Sequence, residues 1–124
     1  MRIFIVDDSR TMRNIEKATL ATLGHTDVEE AGDGQEALSK VDAFNPDLIL
    51  LDWNMPVMDG ITFVRQYRAK GRQVPIIMVT TEAEKSRVVE AIKAGVNNYV
   101  VKPFTPESLC QKVSETLARA GKAA

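Results

Sequence analysis

Asp7, Asp8, Asp52, Thr80 and Lys102 are the residues most able to do chemistry together, because each follows directly on an apolar run. "IFIV" leads into Asp7 and Asp8, "LILL" into Asp52, "IIMV" into Thr80 and "YVV" into Lys102. A carboxylate that ends an aliphatic run needs a partner or a purpose, since burying an unpaired charge is costly. If these ends meet, three carboxylates face one ammonium and two negative charges stay uncompensated. A divalent cation would neutralise such a cluster. Mg2+ suits it, because it takes hard oxygen ligands, keeps several waters and works with one or two carboxylates plus phosphate oxygens. Zinc would want His or Cys, and His25 and Cys110 lie elsewhere in the chain. A metal-supported carboxylate can attack a phosphoryl group to give an aspartyl phosphate. An ammonium neutralises charge on the transferring group and a hydroxyl can bind one of its oxygens. Asp52 is the expected nucleophile, because its strand has the most buried character.

These residues share a site only if the elements carrying them line up. Apolar runs recur at Ile3–Val6, Val28–Ala31, Leu48–Leu51, Ile76–Val79 and Tyr99–Val101. The third and fourth are near-continuous, as strands covered on both faces should be. Between them lie helical spacings: Met12, Ile15, Thr19 and Leu23; Leu38, Val41 and Phe44; Ile61, Val64 and Tyr67; Val88, Ala91, Ile92 and Gly95; Leu109, Val113 and Leu117. Asp33 with Glu36 reads as a capping box, and Thr81 with Glu84 as another. Thr105-Pro106 reads as an N-cap followed by Pro at the first helical position. Gly24 and Gly95 can close helices in the left-handed conformation. Strand–helix alternation implies an α/β fold, a doubly wound parallel sheet with helices on both faces. Parallel strands bring their carboxyl ends to one rim, where ligands bind in such folds.

The chain has 124 residues and a net charge of −1, which suits one domain over residues 1–124 and leaves no electrostatic footprint for nucleic acid. With one cysteine there is no internal disulfide. The N-terminal apolar run is too short for a signal peptide or a membrane span, so a cytoplasmic protein is expected. With no output domain in sight, any effect is expected to pass through a partner. The last residues, "ARAGKAA", are expected to fray.

"IVDDS", "LLDWNMP-MDG", "IIMVT" and "YVVKPF" together resemble the receiver domain of two-component response regulators, over essentially the whole chain and most nearly its single-domain chemotaxis members. The resemblance implies a flavodoxin-like (βα)5 fold with strand order 2-1-3-4-5. It implies that Asp52 accepts a phosphoryl group from a histidine kinase. It implies Mg2+ held by Asp8 and Asp52, by the Asn54 carbonyl, and by Asp7 largely through water. Lys102 would contact a phosphoryl oxygen, with a cis bond before Pro103. Thr80 would move toward the phosphoryl group, Tyr99 would turn inward, and the surface of helix four, strand five and helix five would change its partner preference. Partners so implied are a downstream target such as a flagellar motor switch protein, and a phosphatase. The protein would be a phosphoacceptor, not an enzyme beyond its own phosphorylation and dephosphorylation. Thr81 departs from the smaller residue usual in the family, and Asn54 and Glu82 occupy positions that tune phosphate lifetime there.

Taken singly, these residues have plainer readings. Paired acids suit a helix N-terminus, Lys102 could be a surface lysine, and Thr80 and Tyr99 could be ordinary strand residues. Asp59 and Gly60 read as turn and helix start. Trp53, beside Asp52, is expected to report metal entry by fluorescence. Cys110 reads as structural, His25 as a loop residue before a strand, and Glu82, Glu84, Lys85 and Arg87 as a solvated helix face. Other functions stay open. A phosphohydrolase would carry D-x-D after the first strand, a flavodoxin-like cofactor carrier a Ser/Thr/Gly-rich phosphate loop, and "VDDSR" is neither. A non-chemotaxis phosphorelay protein and a phosphate-independent interaction module are also open.

Overall fold

The computed structural model describes residues 1–81 and 84–121. Its elements are β1 (Arg2–Val6), α1 (Arg10–Thr22), β2 (Asp27–Ala31), α2 (Gly34–Phe44), β3 (Leu48–Asp52), α3 (Gly60–Ala69), β4 (Ile76–Thr81), a 3-10 turn (Lys85–Arg87), α4 (Val88–Ala94), β5 (Asn98–Lys102) and α5 (Pro106–Arg119). The strands form one parallel sheet in the order β2-β1-β3-β4-β5, as expected. All of β3 is buried, consistent with its uninterrupted aliphatic run at the sheet centre.

Side-chain alternation divides the core into two layers. Ile3, Ile5, Leu48, Leu50, Ile77, Val79 and Val100 pack with Leu20 of α1 and Leu109, Val113 and Leu117 of α5. Phe4, Val6, Ile49, Leu51, Ile76 and Met78 pack on the opposite face with α2, α3 and α4.

Chain punctuation follows the sequence in most places. The Asp33 side chain accepts from the Glu36 N–H, while Glu36 reaches back to the Gly32 N–H rather than to Asp33. Thr105 caps α5 in a reciprocal box with Ser108, with Pro106 behind it. Gly24 and Gly95 have φ of 84° and 117°, the left-handed closures expected of them.

Two helical faces differ from the sequence expectation. On α1, Ile15 and Leu23 are exposed, and the buried residues are Glu16, Thr19 and Leu20. The helix turns to seat Leu20 in the core, and that rotation carries Glu16 inward. On α4, Ile92 is 47% exposed and only Ala91 is buried. The Thr81–Glu84 pairing exists, but it closes the end of β4, and α4 starts later, at Val88. At the C-terminus α5 continues through Arg119, and residues 122–124 of the segment expected to fray lie outside the described residues.

Gly60 is the tightest backbone approach near the rim. A Cβ there would stand 2.3 Å from the Asp52 carbonyl oxygen, which backbone atoms cannot relieve cheaply. Gly60→Ala is therefore expected to destabilise the protein by more than about 3 kcal/mol. Gly32→Ala, whose nearest neighbour lies at 3.5 Å, should cost less than about 1 kcal/mol. Urea denaturation of the two variants checks the contrast, and equal losses would contradict it.

Candidate functional site

The parallel register assembles the rim. Val6 pairs with Leu51, so Asp7 and Asp52, each one residue further on, end side by side. Both are buried, with Asp52 only 4% exposed, and Asp8 next to them is open to solvent. One carboxylate oxygen from each of Asp7, Asp8 and Asp52 lies within 4.8 Å of the others. Lys102 reaches in from β5. Its Nζ stands 2.9 Å from Asp52 Oδ1 and 3.9 Å from Asp7 Oδ2.

Local contacts hold each piece in place. The Ser9 N–H donates to Asp7 Oδ1 at 2.8 Å, and Ser9 itself caps α1 by accepting from the Met12 N–H. Arg13 donates from Nη1 to the Asp7 carbonyl and from Nε to Glu30, both at 2.6 Å, pinning α1 to the ends of β1 and β2. Beyond Asp52, the Gly60 N–H donates to the Trp53 carbonyl, and Asp59 caps α3 through the Thr62 N–H. Trp53 is buried beneath the Arg87 guanidinium, which lies 4.6 Å from its ring centre. Asn54 is exposed on the loop after β3. The Lys102-Pro103 bond is cis, as the resemblance implied.

Not every expected site residue meets the carboxylates. Thr80 is fully buried, and its Oγ1 has no hydrogen-bond partner among the described residues. Strand alternation puts Thr80 with Ile76 and Met78, on the opposite face from Asp52 and Lys102. Tyr99 is half-buried, also on that opposite face, with Lys112 Nζ 5.0 Å from its ring centre. Thr81 donates its N–H and hydroxyl to one Glu84 oxygen at 2.9 Å. Glu84 is accordingly buried, which corrects its reading as part of a solvated face, whereas Arg87 is exposed as expected. Glu82 lies outside the described residues. His25 sits in the α1–β2 connection, as read, but is buried there. Cys110 is half-buried, 3.9 Å from the Thr22 hydroxyl.

The sequence reading missed Glu16. It is 1% exposed and carries a buried Oε2 with no hydrogen-bond partner among the described residues. Its electrostatic neighbours are Asp7, Lys102, Asp52 and Arg13. The available signal was a carboxylate next in sequence to Ile15, within the apolar spacing of the first helix.

Burial, joined by mutual repulsion, raises Asp7, Asp52 and Glu16. It pushes Asp52 up to about 6, with the Lys102 hydrogen bond opposing and Asp7 reinforcing the shift. Asp7 is likewise raised, by burial first, although the Ser9 N–H and Lys102 work against the shift. Glu16 is pushed up to about 8 by burial and then by Asp7. Burial opposes the Lys102 charge, yet the hydrogen bond to Asp52 and the surrounding carboxylates hold it above its ordinary value. The arrangement is an anionic pocket with too few cations. Asp7 Oδ2 is buried without a hydrogen-bond partner among the described residues, and the donors are hard oxygens. Such a set fits a divalent metal of the magnesium class.

These shifts set a sign for stability. The folded chain keeps protons on Asp52 and Glu16 that the unfolded chain releases near the ordinary 3.8 and 4.5. The unfolded state then binds fewer protons, so stability falls as pH rises from about 4 toward 8. His25, lowered by burial, contributes with the opposite sign near 6.5. Chemical denaturation of metal-free protein across that range is expected to show the fall, and Asp52→Asn to flatten it. An equally steep fall in that variant would contradict the assignment.

Residues 3–114 match the family model described as response regulator receiver domain. The chain is 52% identical over 121 residues to the chemotaxis protein CheY1 of Helicobacter pylori strain J99, covering 94% of this chain and 97% of that one. It is 47% identical to the chemotaxis protein CheY of Pseudomonas aeruginosa, covering 96% and 98%. Among solved structures, the chemotaxis protein CheY4 of Vibrio cholerae matches with a TM-score of 0.86 at 38% identity, covering 94% and 98%. A family match over most of the chain, a sheet ordered as the family resemblance implied, and relatives near half identity lead to one conclusion: this chain belongs to the response regulator receiver domain family.

Proposed function

We propose that this protein is a stand-alone response regulator that takes a phosphoryl group onto Asp52 from a histidine kinase. The observation that carries the proposal is the setting of Asp52: buried, 2.9 Å from Lys102 and clustered with Asp7 and Asp8. In the transfer, an Asp52 oxygen attacks phosphorus, the donor's P–N bond breaks, and the departing imidazole nitrogen keeps the electron pair. Asp7, Asp8, Asp52 and the Asn54 carbonyl would hold Mg2+, and Mg2+ when bound supplies charge neutralisation on the phosphoryl oxygens. The Lys102 ammonium, 2.9 Å from Asp52, would neutralise further charge on the transferring group. With Asp52 titrating at about 6, its carboxylate is mostly ionised at neutral pH and ready to attack.

Phosphorylation replaces one carboxylate by a group of roughly −2 charge with new acceptor oxygens. The Thr80 hydroxyl has no hydrogen-bond partner among the described residues, so a move toward the new group would break no such bond, although it starts from the opposite face of the sheet. Lys102 and Thr80 sit at the ends of β5 and β4, whose loops lead directly into α5 and α4. A local charge change there biases the α4–β5–α5 surface between two states, with Tyr99 as the movable side chain. Val89 and Ile92 are exposed apolar residues of that surface. A target such as a flagellar motor switch protein fits, since the curated relatives are chemotaxis proteins. A phosphatase would reset the state. No described helix is long and apolar enough to cross a membrane.

The test is intact mass after incubation with Mg2+ and acetyl phosphate. One added phosphoryl group is expected on the wild-type chain, labile to hydroxylamine, and none with Asp52→Asn or in excess chelator. Labelling that persists in Asp52→Asn would move the nucleophile to another residue.

A further inference from the structure

We propose that Val57 is an apolar anchor through which this chain docks its protein phosphodonor, acting on recognition of the donor and not on the chemistry at Asp52. The inference rests on the phosphoacceptor role proposed for Asp52 and deepens it by naming where the donor binds.

Val57 is unfavourable in the isolated chain on two counts. At 82% it is the most exposed of the large hydrophobic side chains among the described residues. Its φ of 68° also lies in the left-handed region, which disfavours a β-branched residue. The Met58 N–H donates back to the Pro56 carbonyl at 2.7 Å, closing a γ-turn with Val57 at its apex, in the strained form that positive φ requires. Elsewhere the chain meets a positive φ with Asn45, which closes α2 at 53° and tolerates that conformation. At position 57 an Asn would relieve the strain and remove the exposed apolar group together. A partner that buries the side chain accounts for both features. The apolar surface becomes contact area, and the strained turn is what presents it.

The loop holds Val57 at the rim. Met55 and Met58, on either side of it, pack against the core. The Met58 carbonyl accepts from the Gly34 N–H at 3.1 Å, which ties the loop to the start of α2. Val57 is thus a fixed projection, and burying it costs a partner little ordering. The loop leaves Asp52 at Trp53 and returns at Gly60, whose backbone lies against the Asp52 carbonyl. Val57 is three residues from Gly60, so the chain keeps it within about 11 Å of that point. A protein that hands a phosphoryl group to Asp52 has to bring its own phosphorylated side chain onto this rim. Even a small transient interface, about 600 Å² on each side, extends about 14 Å from its centre. The donor's surface therefore covers Val57, and an apolar patch beside its phosphohistidine is the matching chemistry. A small donor such as acetyl phosphate reaches Asp52 without needing that contact.

The experiment follows phosphorylation of wild-type, Val57→Asn, Val57→Gly and Val57→Ile proteins by two donors in the presence of Mg2+. One is acetyl phosphate, and the other is an autophosphorylated chemotaxis histidine kinase chosen for transfer to the wild-type chain. Intact mass gives the extent of labelling with time, and circular dichroism gives folding and melting temperature. With the kinase, Val57→Asn and Val57→Gly are expected to lose about tenfold in kcat/KM, carried by KM. Val57→Ile keeps the apolar contact and should stay within about twofold of wild type. With acetyl phosphate all four proteins should react alike. Val57→Asn should also melt higher than wild type, because the turn is relieved. A Val57 that serves only the fold would move the melting temperature and leave the kinase reaction untouched. Folded Val57→Asn protein with wild-type kcat/KM toward the kinase overturns the inference, and so does an equal loss with both donors. Labelling by either donor that persists in Asp52→Asn overturns the phosphoacceptor reading instead, so the two failures are distinguishable.

Discussion

The Lys102–Asp52 ion pair sits at 2.9 Å in a pocket that holds more acids than bases. A buried pair is favourable only when its geometry is good and its other polar atoms are satisfied. Here the geometry is good and the satisfaction is incomplete. Parallel register forces Asp7 beside Asp52, and α1 buries Glu16 within electrostatic reach of both. One ammonium cannot neutralise them all. Burial first, and repulsion among the acids after it, pushes Asp7, Asp52 and Glu16 up. In the proposed function, a divalent cation at the rim would relieve the shortage of positive charge. Function follows from an electrostatic problem that the fold creates and leaves open.

The rest of the chain makes that open problem tolerable. Two apolar layers sandwich a sheet whose central strand is wholly buried, and together they hold the rim in place. Close approaches lock the rim further, such as Gly60 against the Asp52 carbonyl. Val57, in the loop after β3, has φ of 68° and is exposed. A β-branched residue in that region costs about 1–2 kcal/mol, and no contact in the structure explains its presence there.

Much of this was legible in the sequence, and the failures have physical causes. The aliphatic runs gave the strands because a buried parallel sheet demands them. Asp7, Asp52 and Lys102 could be gathered on paper because parallel strands end on one rim. Side-chain direction at a strand end was harder to read. Thr80 and Tyr99 lie across the sheet from the carboxylates, and only the family resemblance gave them a role. Helix faces were misread wherever residue type was taken as a proxy for direction. Ile15 looked like core, but α1 turns Leu20 to the core instead, leaving Ile15 exposed and burying Glu16, which the sequence reading had passed over. Glu84 looked solvated, but the polar groups of Thr81 draw it inward.

The most direct measurement is the titration of the Asp52 carboxyl itself, followed by carbon NMR in metal-free protein. A midpoint at about 6 is expected, moving down when Mg2+ is added. A midpoint near the ordinary 3.8, unmoved by Mg2+, would mean that Asp52 is neither desolvated nor crowded by other acids and takes up no cation beside it.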